Sequence, residues 1–339
     1  MPSRLVPSID LASSRDESVV AALMASSCAF VTGHGVADSL RSDLTELSRA
    51  FFDLPFQEKA RVRWPGDGYW RGWQPLFDAP SGEGDDSQPL ERYEFHLAPG
   101  SDSSDEGLLR RSAEFGFWPS RPEGFRLVWA RYHAALARLA SAIVTSIAKV
   151  LDLPEDEWPD WCEKQFANLV VNNYLAQVDP PPSGQIRQRP HTDIGGLTIL
   201  WADDAPGGLE VRMPGVPGWT AVEFPPDAFL IQAGDLLARW TNQMIRPNIH
   251  RVVNPPPEVA ACSRRMSIVY FHYPKLETVV TPAPSCVSAE RPAGVSIDAG
   301  AHLLSAVAEP GARYREFEDT TSGTSGLTPA VARVRRAPW

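Results

Sequence analysis

His191 and Asp193, two residues apart, followed much later by His250, make a donor set suited to a single metal ion. Two imidazoles and one carboxylate can cover one face of a ferrous ion and leave the opposite face open to other ligands. Side chains alternate along an extended strand, so residues 191 and 193 leave the same face. His250 must arrive from a second strand that folding brings alongside. Arg265 and Ser267 repeat the two-residue spacing. A planar guanidinium with a hydroxyl beside it suits a bound carboxylate, which it grips through charge-assisted hydrogen bonds. The chemistry on offer is a redox-capable metal and a seat for an anionic co-substrate. An H-x-D pair alone carries little, because it arises often by chance, and a strand arginine is commonly ion-paired or at the surface. The ordered combination is what points to a site.

Such side chains need strands, and from residue 166 onward the sequence supplies them. Short apolar runs between Gly and Pro turns predict strands over residues 168–174, 197–201, 209–213, 219–222, 228–232, 236–239, 251–253 and 266–273. This pattern argues for a sandwich or jelly roll, a mainly β core. The period of two puts Val269 and Phe271 on the face of Arg265, so Phe271 is placed to line a pocket. Residues 178–190 form a proline-rich loop directly before His191, positioned to act as a lid.

The first half reads differently. A strand over 6–10 leads to a helix over 16–26, a strand over 29–32 closed by a turn at 33–35, and a helix over 38–53. Residues 64–90 are aromatic and turn-rich, with solvated loops expected at 82–86 and 101–106. A long helix over 124–153 stops before Pro154, and a last helix covers 298–307. The expected organisation is an N-terminal helical and strand region over residues 1–165, a core over 166–280 and a C-terminal extension over 281–339. No internal repeat is visible.

Composition narrows the function. The chain has 339 residues and a formal net charge of −10, which argues against nucleic acid as a partner. The one basic cluster, Arg333, Arg335 and Arg336, sits in the terminal tail. Four widely spaced cysteines without a C-x-x-C pattern point to reduced thiols in a cytoplasmic protein. The N-terminus has no apolar signal-like run, and the most apolar stretch, residues 134–153, is broken by Arg138, Ser141, Ser146 and Lys149. It reads as an amphipathic helix, so no membrane partner is expected. Only four lysines, with many Ala and Pro, suggest a GC-rich coding genome and a bacterial source.

From residue 6 to beyond residue 273 the chain resembles the 2-oxoglutarate- and Fe(II)-dependent oxygenases of the isopenicillin-N-synthase-like family. The resemblance rests on Val6-Pro7-Ser8-Ile9-Asp10-Leu11, on Phe30 with Gly33-His34-Gly35-Val36, and on Phe51-Phe52-Asp53-Leu54-Pro55 running to Glu58-Lys59. It continues through the stretch from His191 to Leu200, then Gly207 to Val211, Gly234 to Leu237, Trp240-Thr241-Asn242, His250-Arg251-Val252 and Arg265-Met266-Ser267. It implies a double-stranded β-helix with the N-terminal α/β region packed against it. It further implies that His191, Asp193 and His250 ligate Fe(II), and that Arg265 and Ser267 hold the tail of 2-oxoglutarate. Asn172 and Tyr174 stand where an N-x-Y pair contacts that co-substrate. Asn173 departs from the pattern, which usually has an aromatic residue there.

By the same resemblance, oxidative decarboxylation of 2-oxoglutarate to succinate and CO2 with dioxygen is coupled to hydroxylation, desaturation or cyclisation of a small molecule. No catalytic residue beyond the metal ligands is required. Halogenating relatives lack the carboxylate that Asp193 supplies. Two alternatives stay open: an Fe(II) oxidase of the same fold that does not use 2-oxoglutarate, and a non-catalytic metal-dependent binding module. Metal-assisted hydrolysis lacks a motif for a water-activating base. Tyr69, Trp70, Arg71, Trp73, residues 185–189 and Phe271 are the candidates for the open side of the iron. Arg71, Arg187 or Arg189 would suit an acidic substrate group. The expected role is a tailoring step in bacterial specialised-metabolite biosynthesis, such as an antibiotic pathway. Oligomeric state is not legible. His34, His96, His133, His272 and His302 are expected to serve structure.

Overall fold

Phe166–Tyr174 and Arg265–Tyr273 are rich in β-branched and aromatic residues, and they become the two longest strands. They pair antiparallel over their full length, from Phe166 opposite Tyr273 to Tyr174 opposite Arg265. The structure is a computed structural model that describes residues 5–65, 71–75, 90–98, 100–114, 116–179, 181 and 185–308.

In chain order the elements begin with β1 (Ser8–Asp10), α1 (Asp16–Ser26), β2 (Cys28–Thr32), α2 (Asp38–Phe52) and α3 (Phe56–Lys59). Next come β3 (Gly72–Gln74), β4 (Leu90–Phe95), α4 (Asp105–Ser112), α5 (Phe125–Val150) and α6 (Trp158–Cys162). The β-rich half holds β5 (Phe166–Tyr174), β6 (Gln188–His191), β7 (Leu197–Ala202), β8 (Leu209–Val211) and β9 (Thr220–Ala221). It continues with β10 (Phe229–Ala233), α7 (Asp235–Trp240), β11 (His250–Val252) and β12 (Arg265–Tyr273). A small hairpin sheet, β13 (Val279–Val280) with β14 (Ile297–Asp298), precedes α8 (Ala299–Ala308).

Eight strands form one sheet in the order β1-β2-β10-β7-β12-β5-β4-β3, and four form a second in the order β6-β11-β8-β9. Strand alternation gives the large sheet two different faces. Met266, Ile268 and Tyr270 of β12, with Leu169 and Val171 of β5 and Ile231 of β10, join the core shared with α1, α2 and α5. Val269, Val170, Leu200 and Leu230 point the other way and pack with Leu209, Val211 and Val252 of the small sheet. This is a double-stranded β-helix, with helices covering one side of the large sheet.

Helix α5 is long and apolar enough to cross a membrane by length and composition alone. Its apolar residues are instead consumed by the core. Phe125 and Trp129 pack with Phe51 and Tyr93 at ring separations of 4.9–5.3 Å, contacts worth about 0.5–1.5 kcal/mol each beyond area burial.

Three expectations need correction. Residues 236–239, expected as a strand, lie in helix α7. A four-residue segment with three apolar residues cannot distinguish the two by period, and here the environment decides. The amides of Gly234, Asp235 and Leu236 are taken by the carbonyls of Gly196, Asp193 and Gly195, which leaves no strand partner for the run. Second, the loop expected over 101–106 is cut short by α4, because Ser104 Oγ accepts from the Gly107 amide at 3.1 Å and caps that helix. Third, the turn-rich stretch 64–90 contains β3 and runs into β4, with His96 one residue past that strand. Part of the stretch, including Tyr69, Trp70, Phe77 and residues 82–86, lies outside the described residues, as do 182–184 in the expected lid and the tail from 309 onward.

Candidate metal centre

The pairing of β6 with β11 sets His191 directly opposite His250. Their rings lie 4.2 Å apart, on neighbouring strands of the small sheet. Asp193 does not share the strand with His191, as the spacing suggested, because β6 ends at His191. The chain bends there into the Gly195-Gly196 turn. A Cβ on Gly195 would lie 2.3 Å from the His272 carbonyl oxygen, so a side chain is excluded. The Asp193 carbonyl accepts from the Asp235 amide at 2.8 Å, which ties this turn to the start of α7.

Asp193 Oδ1 then lies 3.9 Å from His191 Nε2 and 3.8 Å from His250 Nε2. These gaps are too long for hydrogen bonds. Among the described residues this is the one trio of His, Cys, Asp or Glu side chains placed to hold a metal ion. Neighbours orient each donor. His191 Nδ1 lies 2.8 Å from the Arg189 carbonyl and His250 Nδ1 lies 3.2 Å from the Asn248 carbonyl. Donation to those carbonyls puts the proton on Nδ1 and leaves the Nε2 lone pair for a metal. Thr198 Oγ1 donates to Asp193 Oδ2 at 2.5 Å, leaving Oδ1 toward the imidazoles. Asn248 is itself fixed, its side-chain oxygen accepting from Gln232 Nε2 at 2.8 Å. Imidazole and carboxylate donors without thiolate fit Fe(II). The motif reading missed Thr198, Asn248 and Gln232. For Thr198 the signal was available, since it shares the inward parity of Leu200.

The second constellation is on β12 and β5. Arg265 pairs with Tyr174 and Ser267 with Asn172 in the strand register, so all four share the inner face. Asn172 Nδ2 donates to Ser267 Oγ at 3.2 Å. Arg265 is 3% exposed, and its guanidinium lies over the Tyr174 ring at 5.6 Å. Burial pulls its pKa below the ordinary arginine value, with Tyr174 and Asp203 opposing the shift. Among the described residues no carboxylate or other acceptor binds this guanidinium. A buried cation with no directly bound acceptor fits an anionic ligand. Asn173, the departure from the N-x-Y pattern, points to the other face and donates to Glu91 Oε1 at 3.0 Å. That carboxylate also receives Trp73 Nε1 and Lys59 Nζ, each at 2.7 Å.

The expected substrate contacts divide. Phe271 is on the inner face, in register with Thr198 and Asn168. Arg71 precedes β3 and lays its guanidinium over the Phe117 ring at 5.0 Å. Arg189 shares the strand face of His191, two residues before it. Trp73 does not face the iron side; it is buried in the helix-side core. Arg187 is fully buried and donates to carbonyls of Leu175, Pro206 and Ser263, so its guanidinium holds loops together instead of facing a substrate. Its pKa falls to about 10 through burial and the neighbouring Arg265. The remaining histidines stand apart from the trio; His272 Nε2, for example, lies 2.7 Å from the Trp161 carbonyl.

Comparison with known proteins agrees with this geometry. Residues 166–274 match the model of the 2OG-Fe(II) oxygenase superfamily, and residues 6–121 match the non-haem dioxygenase N-terminal model named for morphine synthesis. The chain is 32% identical to validamycin A dioxygenase of Streptomyces hygroscopicus subsp. limoneus, over 75% of this chain and 70% of that protein. It is 28% identical to a homoarginine-6-hydroxylase of Oryza sativa subsp. japonica, over 82% of this chain and 84% of that protein. Among solved structures, a full-length Neurospora crassa protein in complex with alpha-KG and thymine superimposes with a TM-score of 0.76 at 21% identity, covering 90% of this chain and 97% of that one. The chain belongs to the 2OG-Fe(II) oxygenase superfamily and is a 2-oxoglutarate-dependent Fe(II) dioxygenase.

Proposed function

We propose that His191, Asp193 and His250 hold the ferrous ion, and that Arg265, with Ser267, Asn172 and Tyr174 around it, receives the far carboxylate of 2-oxoglutarate. The observation that carries this reading is the buried Arg265 guanidinium, with no acceptor bound among the described residues, on the inner face of the barrel that also holds the metal trio. The bound iron and co-substrate supply oxidising power as 2-oxoglutarate is converted with dioxygen to succinate and CO2. The chain's own residues do the rest. Thr198 and the Asn248 carbonyl fix the donors, while Val170, Leu200, Val211 and Val269 keep the interior apolar and exclude water.

The reaction is hydroxylation, desaturation or cyclisation of a small molecule in bacterial specialised metabolism, in the cytoplasm. Relatives named for validamycin A and homoarginine support a small polar substrate. Four free cysteines support a reducing compartment. Phe271 serves as the floor on the metal side, with Arg71 and Arg189 at its margins; Tyr69, the remaining candidate for substrate contact, lies outside the described residues. The test is anaerobic reconstitution with Fe(II) and 2-oxoglutarate, then exposure to oxygen with candidate metabolites. Succinate released in step with a mass-shifted product supports the reading. Oxidised product formed equally well without 2-oxoglutarate overturns it.

A further inference from the structure

We propose that Asn168 and Glu94 form a second recognition point in the substrate pocket, which takes a hydrogen-bond-donating group, a hydroxyl or a protonated amine, of the small molecule. The inference rests on the reading above, in which the open side of the iron receives that molecule.

The strand register places the pair. Thr198, which holds Asp193, is opposite Phe271, and Phe271 is opposite Asn168. The three side chains form one row across β7, β12 and β5 on the inner face. Two strand spacings of about 4.8 Å set Asn168 on the order of 10 Å from Thr198, with the Phe271 ring between them. A small ring lying over Phe271 can therefore reach both the metal side and Asn168. Glu94 comes from the next strand, opposite Val170. Its neighbours Tyr93 and Phe95 belong to the helix-side core, so Glu94 takes the inner face with Val170.

The chemistry of the pair is one-sided. Asn168 Nδ2 donates to Glu94 Oε2 at 2.9 Å. The other carboxylate oxygen receives Gln74 Nε2 at 3.3 Å and lies 3.5 Å from Arg92 Nη1. A carboxylate already engaged by an amide and a guanidinium accepts, so the nitrogen of the Asn168 amide must face Glu94 and its oxygen must face away. Asn168 is 5% exposed, Glu94 is 2% exposed, and Asn168 Oδ1 is buried with no hydrogen-bond partner. Native structures rarely leave such an acceptor unsatisfied, and a ligand donor relieves it. The spare capacity here consists of acceptors: the Asn168 oxygen and the remaining carboxylate lone pairs. Arg92 offsets the Glu94 charge, so a neutral hydroxyl and an ammonium both match. A substrate group that only accepts does not.

The test uses the full chain loaded with Fe(II) and 2-oxoglutarate without oxygen, and three matched probes: cyclohexanol, cyclohexylamine and cyclohexyl methyl ether. Affinities are read by ligand-observed NMR titration. The expected result is that the alcohol, the amine or both bind at least tenfold more tightly than the ether, and that Asn168→Leu removes the preference. An amine favoured over the alcohol assigns the larger share to Glu94, and equal affinity assigns it to Asn168. Equal binding of all three probes by the wild-type chain overturns the proposal whether or not the variant folds. So does a preference that survives in a folded Asn168→Leu. Affinity for 2-oxoglutarate, titrated on the same samples, separates the two readings. Normal 2-oxoglutarate binding without donor preference sinks the recognition point alone, whereas a wild-type chain that cannot bind 2-oxoglutarate sinks both.

Discussion

Thr198 and Asp193 are joined by a hydrogen bond of 2.5 Å, and that bond decides which carboxylate oxygen faces the two imidazoles. Without it the carboxylate can rotate about its terminal torsion, which is broad and roughly two-fold. Thr198→Val keeps the shape of the side chain and removes the hydroxyl. Iron affinity is expected to fall about 10–100-fold, the usual effect of losing such an orienting partner. Thermal stability without metal should change little by comparison. Fluorescence or calorimetric titration with Fe(II) under anaerobic conditions reads the result, and unchanged affinity would show that Asp193 is oriented by something else.

Removing a donor is a harsher change. His191→Ala, Asp193→Ala and His250→Ala each leave two donors on a site whose three ligand atoms lie within 4.8 Å of one another. Iron binding and succinate production should both be lost in each variant. Wild-type turnover in any of them would defeat the metal assignment.

Arg265 sits at the far end of β12 from Phe271, with no acceptor bound among the described residues. Truncating one partner of a buried charged hydrogen bond costs about 2–5 kcal/mol, or roughly 30-fold or more in affinity. Arg265→Ala should therefore raise the 2-oxoglutarate requirement by that factor and abolish stabilisation by 2-oxoglutarate in a thermal melt. Iron affinity, measured without co-substrate, should be retained. Arg265→Lys is expected to recover only part of the loss, since an ammonium lacks the planar fork.

These assignments show how the sequence divides into legible and illegible parts. Apolar runs located β5, β7 and β12 to within two residues, because strands buried on both faces leave an unbroken signal, and the side-chain period of two gave the inward parity of Arg265, Ser267 and Phe271. The same signal failed at residues 236–239, where three backbone amides bonded to the metal turn convert an apolar run into a helix. It failed again at β3, which has three residues and begins at Gly72, a position with φ of +80°. Asn173 looked like a defect in a motif. In the fold it completes the donor set around Glu91, a contact across 82 residues that no local pattern reveals. Orienting residues such as Asn248 were invisible because a backbone carbonyl does the orienting.

The Glu91 cluster carries its own expectation. Lys59 and Glu91 form an ion pair at 2.7 Å, with side chains 11% and 6% exposed. Lys59→Met leaves the carboxylate with Trp73 and Asn173 as donors but no cation, a change that costs about 3–5 kcal/mol when a buried pair is broken. Urea unfolding should show that loss. Adding Glu91→Leu should return most of it, because the uncompensated charge is then gone. A double variant no more stable than Lys59→Met would mean that packing, not charge, sets the cost.

Acid should unfold the protein through two histidines that play no part in the metal site. Burial lowers the pKa of His133 to about 3 and that of His272 to about 4, against an ordinary 6.5. Each gains a little back from a backbone carbonyl, Ala167 for His133 and Trp161 for His272. Both stay neutral in the native state while the unfolded chain takes up protons below pH 6.5, so the unfolded state binds more protons in that range. The stability they contribute is complete above pH 6.5 and is lost as pH falls toward the folded values. The slope is about 1.4 kcal/mol per pH unit for each histidine. Chemical denaturation of the metal-free protein at pH 6.5, 5.5 and 4.5 measures it, metal-free because iron binding has a pH dependence of its own. His272→Gln should be less stable at pH 7, since a donor to the Trp161 carbonyl is displaced, yet lose stability more slowly on acidification by about one histidine's share of that slope. An unchanged slope in the variant would mean that His272 is protonated in the native state.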